Sequence, residues 1–105
     1  IEAGSIEGYV MKATLSSLPT EFTLSQNYPN PFNPVTSIEF SLPHAADWQL
    51  QVYNILGQVV QTWSDHGEAG YYRIPWDASA KASGVYFYRL TAGSYTATKK
   101  MVLLK

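Results

Sequence analysis

The stretch VYFYRLTAGSYTATKKMVLL, residues 85–104, decides the fold class. Its opening run, VYFYRLT (85–91), is dense in aromatic and β-branched side chains, which pack well on a pleated surface. Ala92, Gly93 and Ser94 supply turn chemistry, and YTATKKMVLL (95–104) runs back as a last strand. Strand, turn and strand make a hairpin, and the sequence upstream repeats the theme.

SIEFSL (37–42) alternates, with Ile38, Phe40 and Leu42 expected to face in and Ser37, Glu39 and Ser41 to face out. Pro43 ends it. WQLQVYN (48–54) places Trp48, Leu50 and Val52 on one face against Gln49 and Gln51 on the other. Asn54-Ile55-Leu56-Gly57 makes a tight turn, with Gly57 able to take φ > 0, and QVVQTW (58–63) returns as the hairpin partner. SDHGEAG (64–70) reads as a loop. YYRIPW (71–76) is the next strand, with Tyr72, Ile74 and Trp76 on one face, and Pro75 marks it as an edge or a bulge. DASAKASG (77–84) is a second loop, and FTLS (22–25) offers a seventh strand. Strands recurring every 8–12 residues with turns between predict an all-β antiparallel sandwich.

NYPNPFNP (27–34) cannot be a strand or a helix. Pro29, Pro31 and Pro34 lack N–H donors and fix φ near −65°, and they push Tyr28, Asn30 and Asn33 toward extended geometry. Asn27, Asn30 and Asn33 can bond nearby backbone in place of the missing donors. Tyr28 and Phe32 are expected to pack back onto the sandwich. The segment is therefore a stiff structural corner, with Asn27, Pro29, Asn30, Pro31, Phe32, Asn33 and Pro34 as its working residues.

Bulk properties exclude several classes. The chain has 105 residues, the size of one domain, and folding buries roughly 65% of the surface of a chain this long. It has no cysteine, so it has no disulfide framework and no thiolate metal site. A net charge of −1 argues against nucleic acid as the main partner. No run of apolar residues is long enough for a transmembrane segment, and no signal-peptide pattern is present. Charge is unevenly placed: every Asp and Glu lies at or before Asp77, and Lys81, Arg89, Lys99, Lys100 and Lys105 follow it. Ile1 in place of an initiator Met leads to the expectation of a C-terminal module cut from a larger protein. Residues 1–21 then read as a linker or the tail of a preceding domain, with EGYVMKATL (7–15) as a candidate strand, and 22–105 as the sandwich domain.

From Phe22 onward the order of motifs resembles the type A C-terminal sorting domain of the type IX secretion system. The residues that carry it are LSQNYPNPFNPVTSIEFSLP (24–43), VYNILGQVV (52–60), AGYYRIPWDAS (69–79) and SGVYFYRLTAGSYTATKKMVLLK (83–105). The sandwich of flagellar hook-capping proteins is related through the GVYFY-type strand. The resemblance implies an immunoglobulin-like antiparallel β-sandwich of about seven strands. It also implies a non-catalytic role: directing a larger, often hydrolytic, cargo across the outer membrane to secretion or cell-surface attachment. The implied partners are the outer-membrane secretion machinery and its surface-attachment enzyme.

The sorting and partner-binding candidates are Lys99, Lys100, Met101, Val102, Leu103, Leu104 and Lys105. An accessible edge strand would supply backbone affinity, and the lysines would steer and select. The same lysines also protect an edge from aggregation. Two further classes compete: a structural spacer, and a carbohydrate-binding module with Trp63, Tyr71, Tyr86 and Tyr88 as a sugar-stacking platform. Core packing is the alternative use of those aromatics. His44 and His66 sit in separate polar loops, so no acid–base constellation is expected. A lone Asp77 after Trp76 is thin support for calcium and fits turn initiation through backbone N–H groups of 78–80. No metal and no cofactor are expected.

Overall fold

The computed structural model describes residues 18–105. The candidate strand at 7–15 lies outside the described residues, as does most of the segment 1–21. Seven strands follow in order: β1 (Thr23–Leu24), β2 (Val35–Leu42), β3 (Ala46–Tyr53), β4 (Val59–Gly67), β5 (Gly70–Asp77), β6 (Gly84–Ala92) and β7 (Tyr95–Leu103). They form two antiparallel sheets, β1-β2-β5 and β4-β3-β6-β7. Compared with a constant-type immunoglobulin domain, the fourth strand has joined the other sheet and pairs with β3.

Alternation built the core as expected. Ile38, Phe40 and Leu42 of β2 and Tyr72, Ile74 and Trp76 of β5 are buried from one sheet. Trp48, Leu50 and Val52 of β3, with Tyr86, Tyr88 and Leu90 of β6, answer from the other. Phe40 sits at the centre, stacked on Tyr72 at 5.0 Å and tilted against Trp48 at 4.9 Å. The buried tyrosines keep their hydroxyls bonded, which removes the cost of an unpaired polar tip. Tyr72 donates to the Glu68 carbonyl at 2.6 Å, Tyr86 to Ala82 at 2.7 Å and Tyr88 to Ser25 at 2.7 Å. Burial pushes the Tyr72 and Tyr88 phenols up to about 12. Pro75 lies in an outer strand of its sheet, as its missing donor requires. Gly57 takes φ +82° in the β3–β4 turn.

Three expectations are corrected. Residues 64–67 do not belong to a loop: β4 continues through them, pairing Ser64 with Gln49, Asp65 with Trp48, His66 with Asp47 and Gly67 with Ala46. Backbone pairing to β3 overrides the turn-like composition. Gly67 is needed there, because a Cβ would run into the ring and hydroxyl of Tyr72. Ser41, expected on a wet face, is buried. Its hydroxyl bonds Thr23 Oγ1 at 2.6 Å and the Glu21 carbonyl at 2.9 Å, so the incoming chain covers it. Tyr28 does not pack back onto the sandwich; its side chain is in water.

Candidate functional site

The corner and the last strand form one structure. Asn27 is buried, and its amide donates to the Pro29 carbonyl at 3.1 Å and to Thr36 Oγ1 at 3.0 Å. The Thr36 hydroxyl donates in turn to the Pro29 carbonyl at 2.9 Å. The Asn27 N–H donates to the Tyr88 hydroxyl at 2.8 Å, which ties the corner to the core. The Xaa-Pro bonds at Pro29, Pro31 and Pro34 are cis. Phe32 is buried against Trp76, with ring centroids 5.9 Å apart, while Asn33 is exposed. The two aromatics of the corner thus divide: Phe32 is 2% exposed and Tyr28 81%.

The outward edge of β7 meets this corner. Even-numbered residues of β7 turn their backbone groups away from β6. The Phe32 N–H donates to the Val102 carbonyl and the Leu104 N–H to the Phe32 carbonyl, each at 2.9 Å. Asn30 Oδ1 accepts from the Val102 N–H at 3.0 Å, and Gln26 Nε2 donates to the Lys100 carbonyl at 2.7 Å. The edge from the Lys100 carbonyl to Leu104 is therefore occupied by the protein's own chain. The outward groups of Thr96 and Thr98, and the Lys100 N–H, have no protein partner among the described residues.

The residues singled out at 99–105 play different parts. Met101 and Leu103 are core residues, Val102 is half-buried, and Leu104 is exposed. Lys99 shares a face with buried Tyr88, its register partner, and is half-buried, whereas Lys100 pairs with Phe87 on the outer face. Lys105 folds onto the loop before β6, donating from Nζ to the Ser79 carbonyl and from its backbone N–H to Ser83 Oγ. The three lysines do not gather into one cluster. Asp77 lies in the same neighbourhood: hydrogen bonds from Ser79 and the charge of Lys105 hold its carboxylate below the usual range. The Ser79 N–H bond at 2.9 Å is the turn-initiating role expected for it.

The proposed sugar platform is not assembled. Tyr86 and Tyr88 are buried, because they alternate inward with Leu90 while Phe87 and Arg89 face out. Trp63 packs against the core from β4, and Tyr71 lies on the outer face of the other sheet. His66 Nδ1 lies 2.7 Å from Asp47 Oδ1, and that hydrogen bond raises its pKa above the usual imidazole value. Among the described residues no group of three or more His, Asp or Glu side chains is placed to hold a metal ion.

Sequence reasoning missed two features. Gln26 and Asn30 act as caps on a strand more than seventy residues away, a pairing no local pattern encodes. An apolar row also crosses the outer face of the larger sheet, where Val59 pairs with Tyr53 and Tyr53 with Phe87. Exposed Ile55 and Leu56 lie at the turn beside it, and Arg89 covers the Tyr53 ring at 5.2 Å. The alternation of 85–91 was the signal available for that row.

Fold and seam together define a class: a small antiparallel sandwich whose entrance corner is stapled to its last strand. The sequence matches the family described as the secretion system C-terminal sorting domain over residues 26–104, and the chain belongs to that family. It is a type IX sorting domain, a kind of domain that takes the protein carrying it across the outer membrane to the cell surface or the medium. Such a domain is handled by the secretion machinery as part of a larger cargo protein. No curated protein matches the chain.

Proposed function

We propose that the secretion machinery takes hold of this domain along the open half of the β7 edge, from Thr96 to Lys100. A strand of the machinery adds there, and its backbone bonds supply affinity. Lys99 and Lys100 steer the approach, helped by the absence of any acidic residue after Asp77. Met101 to Leu104 anchor the strand that is recognised, and Lys105 ties its end to the preceding loop. The domain itself performs no catalysis. The cargo is read as a hydrolase, and the surface-attachment enzyme of the system as the second partner, on the strength of the family alone.

The observation that carries this reading is the division of the edge: half is closed by the corner and half is left with unpaired backbone. Edge strands are normally blunted, so an open stretch beside a closed one calls for a partner. The test fuses the full chain to the C-terminus of a reporter in a host with a type IX system. Thr98→Pro removes an outward N–H that no part of the described chain uses, and edge strands tolerate proline. Thr98→Pro should keep the melting temperature and hold the reporter in the periplasm. Unaltered export by Thr98→Pro and by the double variant Lys99→Glu, Lys100→Glu would sink the reading.

A further inference from the structure

A polar cleft of about 350 Å³ lies on the outer face of the three-stranded sheet, lined by Gln26, Tyr28, Ser37, Glu39 and Arg73. Clefts that hold small ligands run from roughly 300 to 1,000 Å³, so this one suits a short ligand. Of its lining only Gln26 is used elsewhere, as the cap on the Lys100 carbonyl.

Its walls stand on paired backbone. Tyr28 and Ser37 exchange backbone hydrogen bonds, both at 3.0 Å, so Tyr28 is held as a short extension beside β2. Its ring nevertheless stands in water. A flat aromatic face on a fixed backbone can be covered by a ligand with little loss of conformational freedom. Glu39 and Arg73 are register partners across β2 and β5, with Oε2 and Nε 3.4 Å apart. Gln26 is oriented by its own bonds, Nε2 donating to Asn27 Oδ1 and to the Lys100 carbonyl, each at 2.7 Å.

The unused hydrogen-bonding groups are mixed in kind. The Arg73 NH groups are donors; Glu39 Oε1 and Gln26 Oε1 are acceptors; the Ser37 and Tyr28 hydroxyls are both. None of them has a protein partner among the described residues. The two formal charges are opposite and adjacent, so an anion meets Glu39 and a cation meets Arg73. A ligand dense in neutral hydroxyls meets neither penalty: each hydroxyl gives and takes a bond, and the C–H face of a sugar ring covers Tyr28.

We propose that this cleft, built on Tyr28, Gln26, Ser37, Glu39 and Arg73, binds a short neutral saccharide. It is a different place from the four aromatics that the sequence put forward.

The experiment titrates the isotope-labelled full chain by NMR with cellobiose, maltose and N,N′-diacetylchitobiose, with glucuronate and glucosamine as charged controls. At least one neutral disaccharide should give saturable shifts at the amides of Gln26, Tyr28, Ser37, Glu39 and Arg73, and the charged sugars weaker ones. Tyr28→Ala should weaken that binding by roughly tenfold or more without moving the melting temperature. Glu39→Gln should weaken it by a smaller factor, which separates hydroxyl recognition from stacking alone. Three results overturn the proposal: no saturable shift with any of the disaccharides, shifts that map elsewhere, or affinity unchanged in Tyr28→Ala. Export measured on Tyr28→Ala keeps this outcome separate from sorting, which the loss of saccharide binding leaves intact.

Discussion

The two halves of the β7 edge are made of one strand and treated in opposite ways. Around Val102 every outward backbone group is answered, by Asn30, by Phe32 or, at the Lys100 carbonyl, by Gln26. Around Thr96 and Thr98 none is. The inner faces differ in step. Met101 and Leu103 of the closed half are fully buried, while Tyr95, Ala97 and Lys99 of the open half are partly covered. An edge that must not aggregate can be protected by covering it or by making it polar. This strand does each in turn, and the covered half supports the half that is left available.

The sharpest way to break that comparison is to remove the anchor of the cover. Phe32→Ala should cost about 3–5 kcal/mol, the usual penalty for deleting a buried aromatic, read as a lowered midpoint in denaturant. Its backbone bonds to Val102 and Leu104 should loosen with it. A smaller effect comes from Tyr88→Phe, which deletes the hydroxyl that joins Asn27 to Ser25. An unpaired buried N–H follows, worth about 1–3 kcal/mol, and a loss of less than a tenth of that would show the corner to be held by other means.

Alkali tests the same linkage without a mutation. Tyr72 and Tyr88 are held neutral by burial, with pKa values raised from 10.0 to about 12. A phenol whose folded pKa lies above its unfolded one contributes stability that is fully present below the unfolded value. Stability should therefore be level with respect to these groups below pH 10 and fall between 10 and about 12. Tyrosinate absorbance should rise together with unfolding in that window, and ionisation of all tyrosines with the fold intact would contradict it. The gentlest comparison is amide exchange under native conditions. The N–H groups of Thr96, Thr98 and Lys100 should exchange early and those of Val102 and Leu104 late, and equal rates would erase the distinction between the halves.

Much of the sandwich could be read along the chain because its instructions are local. Alternation placed Ile38, Phe40, Leu42, Trp48, Leu50, Val52, Tyr72, Ile74 and Trp76 correctly, and of the edge or bulge that Pro75 suggested the structure has the edge. The errors fall where distant segments decide. Residues 64–67 look like a turn until β3 pairs with them, and Ser41 looks wet until the chain before β1 lies over it. Tyr28 and Phe32 are equivalent in composition and opposite in fate, because only Phe32 faces Trp76. The last strand was legible as a strand. The division of its edge was not, because Asn30 and Val102 meet across 72 residues.

That span has a consequence for how the domain comes into being on the ribosome. The corner is synthesised near the start of the domain, yet the strand that clasps it is the last of the domain's seven described strands to emerge. Until Val102 is free of the exit tunnel, Asn30 and the Phe32 backbone have nothing to hold. A domain cut short before that point keeps Thr96 to Lys100 but lacks the clasp beside them. The clasp between corner and last strand thus forms only once all seven strands of the domain have been made.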